Sequence, residues 1–134
     1  MARWIPGTGS RTFVCTQAGA IDLGNAAGDV DLEMVCPADD AHLVKISFTI
    51  HTAGGEAENH NLVVEHGAGA AGAALSGQID VLSNAAAGTI VTADALGYAA
   101  QPATVEGTTI QVSNAEEGAI SNGAILNVSL IWEL

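Results

Sequence analysis

Basic residues are scarce in this chain: three lysines and arginines stand against fifteen acidic residues, for a formal net charge of −12. A field of that sign repels phosphate backbones and anionic lipid, which argues against nucleic acid and membrane surfaces as partners. Aromatic residues make up only 4% of the chain, so its core has to be filled by aliphatic and small side chains. Cysteine is limited to Cys15 and Cys36, with no CxxC pair. That spacing suits no zinc ribbon or dithiol centre and reads as free thiols occupying core space. No window approaches the roughly 18 consecutive apolar residues that a transmembrane helix needs. The opening MARWIPGTGSR has no apolar run of signal-peptide length and is broken by Pro6, Gly7 and Gly9. The expectation is a chain made and left in a cytoplasm.

Signatures of catalysis are missing as well. There is no GxSxG, HExxH, P-loop or dinucleotide fingerprint. Only Arg11 lies near Cys15 in sequence, where a reactive thiol needs a cationic neighbour. We assign no catalytic residue and no cofactor from the sequence, and expect a non-enzymatic protein.

What the chain does have is alternation. In His42–Thr52 (HLVKISFTIHT), Val44, Ile46, Phe48 and Ile50 fall on one side of an extended chain. Leu43, Lys45, Ser47, Thr49 and His51 fall on the other. The last ten residues repeat the pattern, with Leu126, Val128, Leu130, Trp132 and Leu134 on one side. Period two is what a half-buried strand requires, because successive side chains point to opposite faces of a sheet. These two stretches carry the best apolar faces and are expected at central positions.

Shorter strands are predicted over residues 11–16, 19–23, 29–36, 61–66, 78–82, 88–92 and 108–113. Pro37 ends the third of them, because it cannot donate to a ladder. Turns are predicted at 25–28, 52–59 and 114–123, and residues 93–102 read as irregular. The run GAGAAGAA at 67–74 reads as a loop or a close-packed segment of small residues, since its glycines oppose helix. Eight or nine short strands with no amphipathic helix predict an all-β fold, an antiparallel β-sandwich of jelly-roll or Greek-key type. The long separation of the two best strands requires non-local pairing. Residues 11–134 are expected to form one such domain, preceded by an extended arm at 1–10.

Several polar clusters fit plain structural roles. His51, His60 and His66, with Glu58 and Glu65, could be gathered by a hairpin, but their spacing matches no standard zinc pattern. Core or solvent-facing histidines are the reading adopted. Asp29, Asp31 and Glu33 alternate with Val30 and Leu32, which suits the outer face of an edge strand better than a calcium loop. Asp39 and Asp40 sit in a loop open to calcium, but no metal is assigned. The sequon Asn127-Val128-Ser129 lies within a predicted strand and reads as coincidence.

The arm is chemically distinct from the body. Arg3 and Arg11 are two of the three basic residues, and no acid precedes Asp22. Trp4 and Ile5 sit between them. Tryptophan and arginine dominate interface hot spots, and an extended arm can add to a neighbouring sheet or fill its groove. Arg3, Trp4, Ile5 and Arg11 are therefore the predicted partner-binding residues. The competing reading is that Trp4 folds back over its own core.

An acidic, alanine- and glycine-rich all-β chain, with a short arm and a terminal strand ILNVSLIWEL, resembles the small head decoration (cement) proteins of tailed bacteriophages. The resemblance is one of general design and carries over no site residue. It implies a β-sandwich or jelly roll bound to the outside of a capsid, made in the host cytoplasm. Its partner would be the major capsid protein, and it would form a homo-oligomer, with a trimer favoured, clamping neighbouring subunits. The alternative is a glycan- or receptor-binding β-sandwich of a fibre or adhesin. That reading has only Trp4, Tyr98 and Trp132 to offer as stacking aromatics, and Trp132 belongs to the apolar face of a strand.

Overall fold

The alternating stretches are strands that pair as nested hairpins. The structure, a computed structural model, describes residues 13–23, 30–68, 72–114 and 123–134. Nine strands are found among the described residues: β1 (Val14–Asp22), β2 (Val30–Val35), β3 (His42–Thr52), β4 (Asn59–His66), β5 (Ala73–Ala74), β6 (Ile79–Leu82), β7 (Ile90–Asp94), β8 (Thr109–Asn114) and β9 (Ile125–Glu133). A 3-10 turn at Tyr98–Ala100 is the other regular element. β1 pairs with β9, β2 with β8, β3 with β7 and β4 with β6, every pair antiparallel. This is a ribbon folded back on itself. Rolling it brings β3 onto β9 and β4 onto β8, again antiparallel. The result is one sheet in the order β1-β9-β3-β7 and a second in the order β2-β8-β4-β5, with β6 also on β4. The nested pairing is that of a jelly roll, which closes most strand edges by folding one antiparallel ribbon into two sheets.

β3 and β9, the two most regular stretches of the sequence, are the paired centre of the first sheet. Ile46, Phe48 and Ile50 of β3 and Leu126, Val128, Leu130 and Trp132 of β9 are buried. Leu62 and Val64 of β4, Val81 of β6, and Ile110 and Val112 of β8 meet them from the second sheet. Aliphatic side chains thus supply nearly all of the apolar burial, with Phe48 and Trp132 the large exceptions. Cys36 is buried, Cys15 is half-buried, and both are free thiols.

The strands differ from the sequence-based expectation in ways that shape the sandwich. β1 is one nine-residue strand, where the sequence pattern suggests two, because Gln17 and Gly19 keep the period between Cys15 and Ile21. A β-bulge at Val44 shifts the register against β9 between Leu43 and Lys45. An extra residue there turns Leu43 inward and leaves Val44 half-buried, the reverse of what alternation predicts. The carboxamide of Gln101 holds the bulge: Leu43 N–H donates to its Oε1 at 3.0 Å, and its Nε2 donates to Leu43 C=O at 2.7 Å. Lastly, Ala93 and Asp94 lie in β7 rather than in irregular chain.

Among the described residues, Gln17 bridges β1 and β2, the edge strands of the two sheets. Gln17 Oε1 accepts the Trp132 indole N–H at 3.0 Å, and Gln17 Nε2 donates to Val35 C=O at 2.5 Å. Nearby, a Cβ on Gly19 would stand 3.0 Å from Leu32, so glycine lets the edges approach. On the outer face of the second sheet, Gln111 Nε2 donates to Glu65 Oε1 at 3.2 Å, and the Ser113 hydroxyl donates to the same carboxylate. The chain at Gly72 packs against this pair, where a Cβ would lie 2.5 Å from Gln111 Nε2. Part of the small-residue run at 67–74 is therefore close-packed.

Candidate interaction surface

Both ends of the sandwich are defined by strand register. At one of them β1 begins, β9 ends and β3 begins, since Glu133 pairs with both Val14 and His42. β2 ends and β8 begins at the same place, with Val35 opposite Thr109. Two connections cross there and are tied together: Cys36 N–H donates to Thr108 C=O at 2.7 Å, and Asp40 N–H to Thr104 C=O at 2.9 Å. The Thr104 hydroxyl donates to Ala41 C=O at 2.8 Å, and Asp39 Oδ1 accepts the Glu106 N–H at 2.8 Å. These bonds make a braced platform from loops that would otherwise leave their backbone polar groups unpaired.

Apolar side chains collect on this platform. Of the eight large hydrophobic residues exposed among the described residues, six lie here: Phe13, Val14, Val35, Tyr98, Val105 and Leu134. Phe13 is 61% exposed although its backbone is tied down, with its C=O accepting the Leu134 N–H at 2.8 Å. Tyr98 stacks on His42 with ring centroids 4.3 Å apart. Scattered exposed leucines and valines need no explanation, but large apolar side chains gathered at one end of a molecule mark an interaction surface. Asp39, Asp40 and Glu106, all exposed, rim it with acid.

The sequence-predicted partner-binding residues Arg3, Trp4, Ile5 and Arg11 lie outside the described residues, as do the turn at 25–28 and Asp29. Residue 12 leads directly into Phe13, so the segment that holds them is joined to the sandwich at its apolar end. Sequence reasoning did not find that end. Its members come from strand tips and loops far apart in the chain, and the only local signal is a hydrophobic residue next to a turn.

The candidate metal ligands are dispersed. His60 is 0% exposed in the core, His51 Nδ1 lies 3.0 Å from Thr52 Oγ1, and His66 Nε2 lies 2.6 Å from Thr108 Oγ1. Glu65 is engaged by Gln111 and Ser113. Among the described residues, no three His, Cys, Asp or Glu side chains stand close enough to share a metal ion. Trp132 is fully buried and offers no platform to a sugar ring. No described helix is long and apolar enough to cross a membrane.

No family model and no curated protein matches this sequence. Solved structures do match it along its whole length. A chain of the cyanophage Pam1 capsid asymmetric unit superposes with a TM-score of 0.59 at 16% identity, covering 100% of this chain and 94% of that one. A chain of the capsid of Ralstonia phage GP4 superposes with a TM-score of 0.54 at 20% identity, covering 98% of this chain and 90% of that one. At these identities the likeness is one of fold: this chain shares its two-sheet architecture with chains found in two phage capsids.

Proposed function

We propose that the chain is a structural, non-enzymatic virion protein that binds the outer surface of a phage capsid and cements neighbouring capsid subunits. The observation that carries this reading is the braced apolar end, crowded with exposed side chains at the place where the arm joins the body. The end-to-end fold likeness to chains of two phage capsids supports it, because those chains are close to this one in length as well as in architecture. The major capsid protein is the proposed partner, and a trimer is the proposed working unit.

The mechanism is mechanical. Specific interfaces bury on the order of 1,000–2,000 Å², and repeating them across a lattice multiplies modest affinities through avidity. Arg3, Trp4, Ile5 and Arg11 anchor the arm, the apolar end lies against the capsid, and the acidic body faces solvent. The body's charge keeps copies apart except where the arm reaches out.

The test uses capsids stripped of this protein, mixed with the intact chain or with a Trp4→Ala/Ile5→Ala variant, and imaged by electron cryomicroscopy. The expected result is ordered density outside the shell for the intact chain, and at least tenfold weaker attachment for the variant. Absence of binding to capsids, together with specific hits on a glycan array, would overturn the reading in favour of a receptor-binding module.

A further inference from the structure

The free edge of β1 is built unlike the other edges of the sandwich. Exposed edges are templates for pairing, and proteins blunt them with charge, proline, bulges or shortness. β2 carries Glu33 and a register shift between Val30 and Leu32. β7 is five residues long and ends in Asp94. β1 runs for nine residues, VCTQAGAID, with no charge before Asp22 and no proline. Its register with β9 is unbroken from Val14 to Asp22.

The direction of its unpaired groups follows from the ends of the strand. Phe13 C=O bonds toward β9, accepting from Leu134, and Leu23 N–H bonds toward Ala124 on the same side. Backbone groups alternate sides along a strand. Cys15, Gln17, Gly19 and Ile21 therefore bond to β9, while Val14, Thr16, Ala18 and Ala20 turn N–H and C=O outward. Among the described residues no backbone hydrogen bond reaches those four groups from outside. Their side chains are exposed, and three of the four are alanine or threonine, too small to screen the backbone.

We propose that the free edge of β1 is the docking site for residues 1–12 of a neighbouring copy of this chain, which add to the first sheet as an outer strand. The inference rests on the reading of Arg3 to Arg11 as a docking arm, and it names the surface that receives the arm. Twelve residues precede Phe13. At about 3.3 Å per residue they reach about 40 Å, enough to cover the roughly 30 Å of β1. Whole chains carry a net charge of −12 and all their acids lie in the body, so close contact of two bodies along this edge is opposed. The arm, with Arg3 and Arg11 and no acid, is the part of a second copy that an acidic body attracts. Pro6 has no N–H and pairs along one edge only. The added strand thus ends the sheet instead of seeding further growth.

Two full-length variants separate donor from acceptor. Ile5→Pro/Gly7→Pro creates a three-proline run that cannot pair as a strand, and leaves β1 untouched. Ala18→Pro removes an outward N–H that makes no bond within the described chain, and leaves the arm untouched. In sedimentation velocity the intact chain is expected to associate, each variant alone to run as a single chain, and an equimolar mixture of the two to associate again. Hydrogen exchange of the intact chain is expected to show the amides of Thr16, Ala18 and Ala20 protected at least tenfold over the arm variant. This second readout decides the matter even where Ala18→Pro unfolds. Protected amides in an intact chain that sediments singly mean that each arm covers its own β1, which overturns the proposal. So do freely exchanging amides in an associated chain, or a mixture of two folded variants that stays unassociated. Capsid attachment, measured in parallel, separates the two readings. Attachment without self-association removes this inference alone, and self-association without attachment removes the cementing role alone.

Discussion

His60 shows how one buried polar side chain ties stability to pH. It follows Asn59 at the start of β4, faces inward, and is 0% exposed. Its Nε2 accepts the Ala124 N–H at 3.3 Å, so the ring is neutral and its proton sits on Nδ1, which finds no partner among the described residues. Burial disfavours the charged ring and lowers its pKa from the ordinary 6.5. The unfolded chain therefore takes up this proton first as pH falls. Stability is undiminished above 6.5 and declines below it, by at most about 1.4 kcal/mol per pH unit, until the folded pKa is reached. Urea titrations above and below that value are expected to show the decline in the native chain and a flatter profile in His60→Gln. Beside the ring, Gly123 has no room to grow. A Cβ there would lie 2.5 Å from Leu23 C=O and 2.9 Å from His60 Cε1. A backbone oxygen cannot swing aside as a flexible side chain can. Gly123→Ala is expected to cost about 1–3 kcal/mol in the same titration.

Elements were legible where their signal is local. β3 and β9 announce themselves through four or five alternating apolar residues each, but which strand pairs with which was not legible, because the partners lie far apart in the chain and only the fold brings them together. The bulge at Val44 was not legible, because what holds it comes from 58 residues away. Gln101 replaces the ladder bonds that Leu43 loses at the bulge, and its Nε2 also donates to Leu96 C=O at 2.7 Å. Gln101→Ala leaves a partly buried N–H and two carbonyls without that partner, at an expected cost of about 1–3 kcal/mol by chemical denaturation. Because the loss is confined to the start of β3, hydrogen exchange should rise first at Leu43 and its neighbours. An unchanged stability would mean that water replaces the carboxamide freely. The continuity of β1 was not legible for a related reason. Gln17 and Gly19 lack the apolar side chains that mark an inward face, and only the bonds of Gln17 to Trp132 and Val35 explain an amide facing inward. The apolar end was illegible for the strongest reason, since Phe13, Val35, Tyr98, Val105 and Leu134 meet only through the fold.

At the scale of the whole molecule, charge acts in two opposite senses, and salt distinguishes them. The body holds the acids, and its surplus gives the chain a net −12. Like charges on one compact fold repel, which opposes folding, and the repulsion reaches roughly 10 Å at 0.1 M salt before screening removes it. Added sodium chloride is therefore expected to raise the melting temperature of the isolated chain. In the proposed assembly the cationic arm reaches toward an acidic neighbour, and the same screening weakens that attraction. Attachment to capsids, and self-association through β1, are expected to loosen as salt rises over the range in which the isolated chain grows more stable. The two trends are read by thermal melting and by sedimentation in one buffer series. Attachment that ignores salt would shift the anchoring from Arg3 and Arg11 to Trp4, Ile5 and the apolar end, where burial of apolar surface is little affected by moderate ionic strength. Reversing charge with Arg3→Glu/Arg11→Glu separates the cases further. It abolishes attachment at low salt where the arm acts through charge, and changes it less than twofold where Trp4 and Ile5 carry the contact.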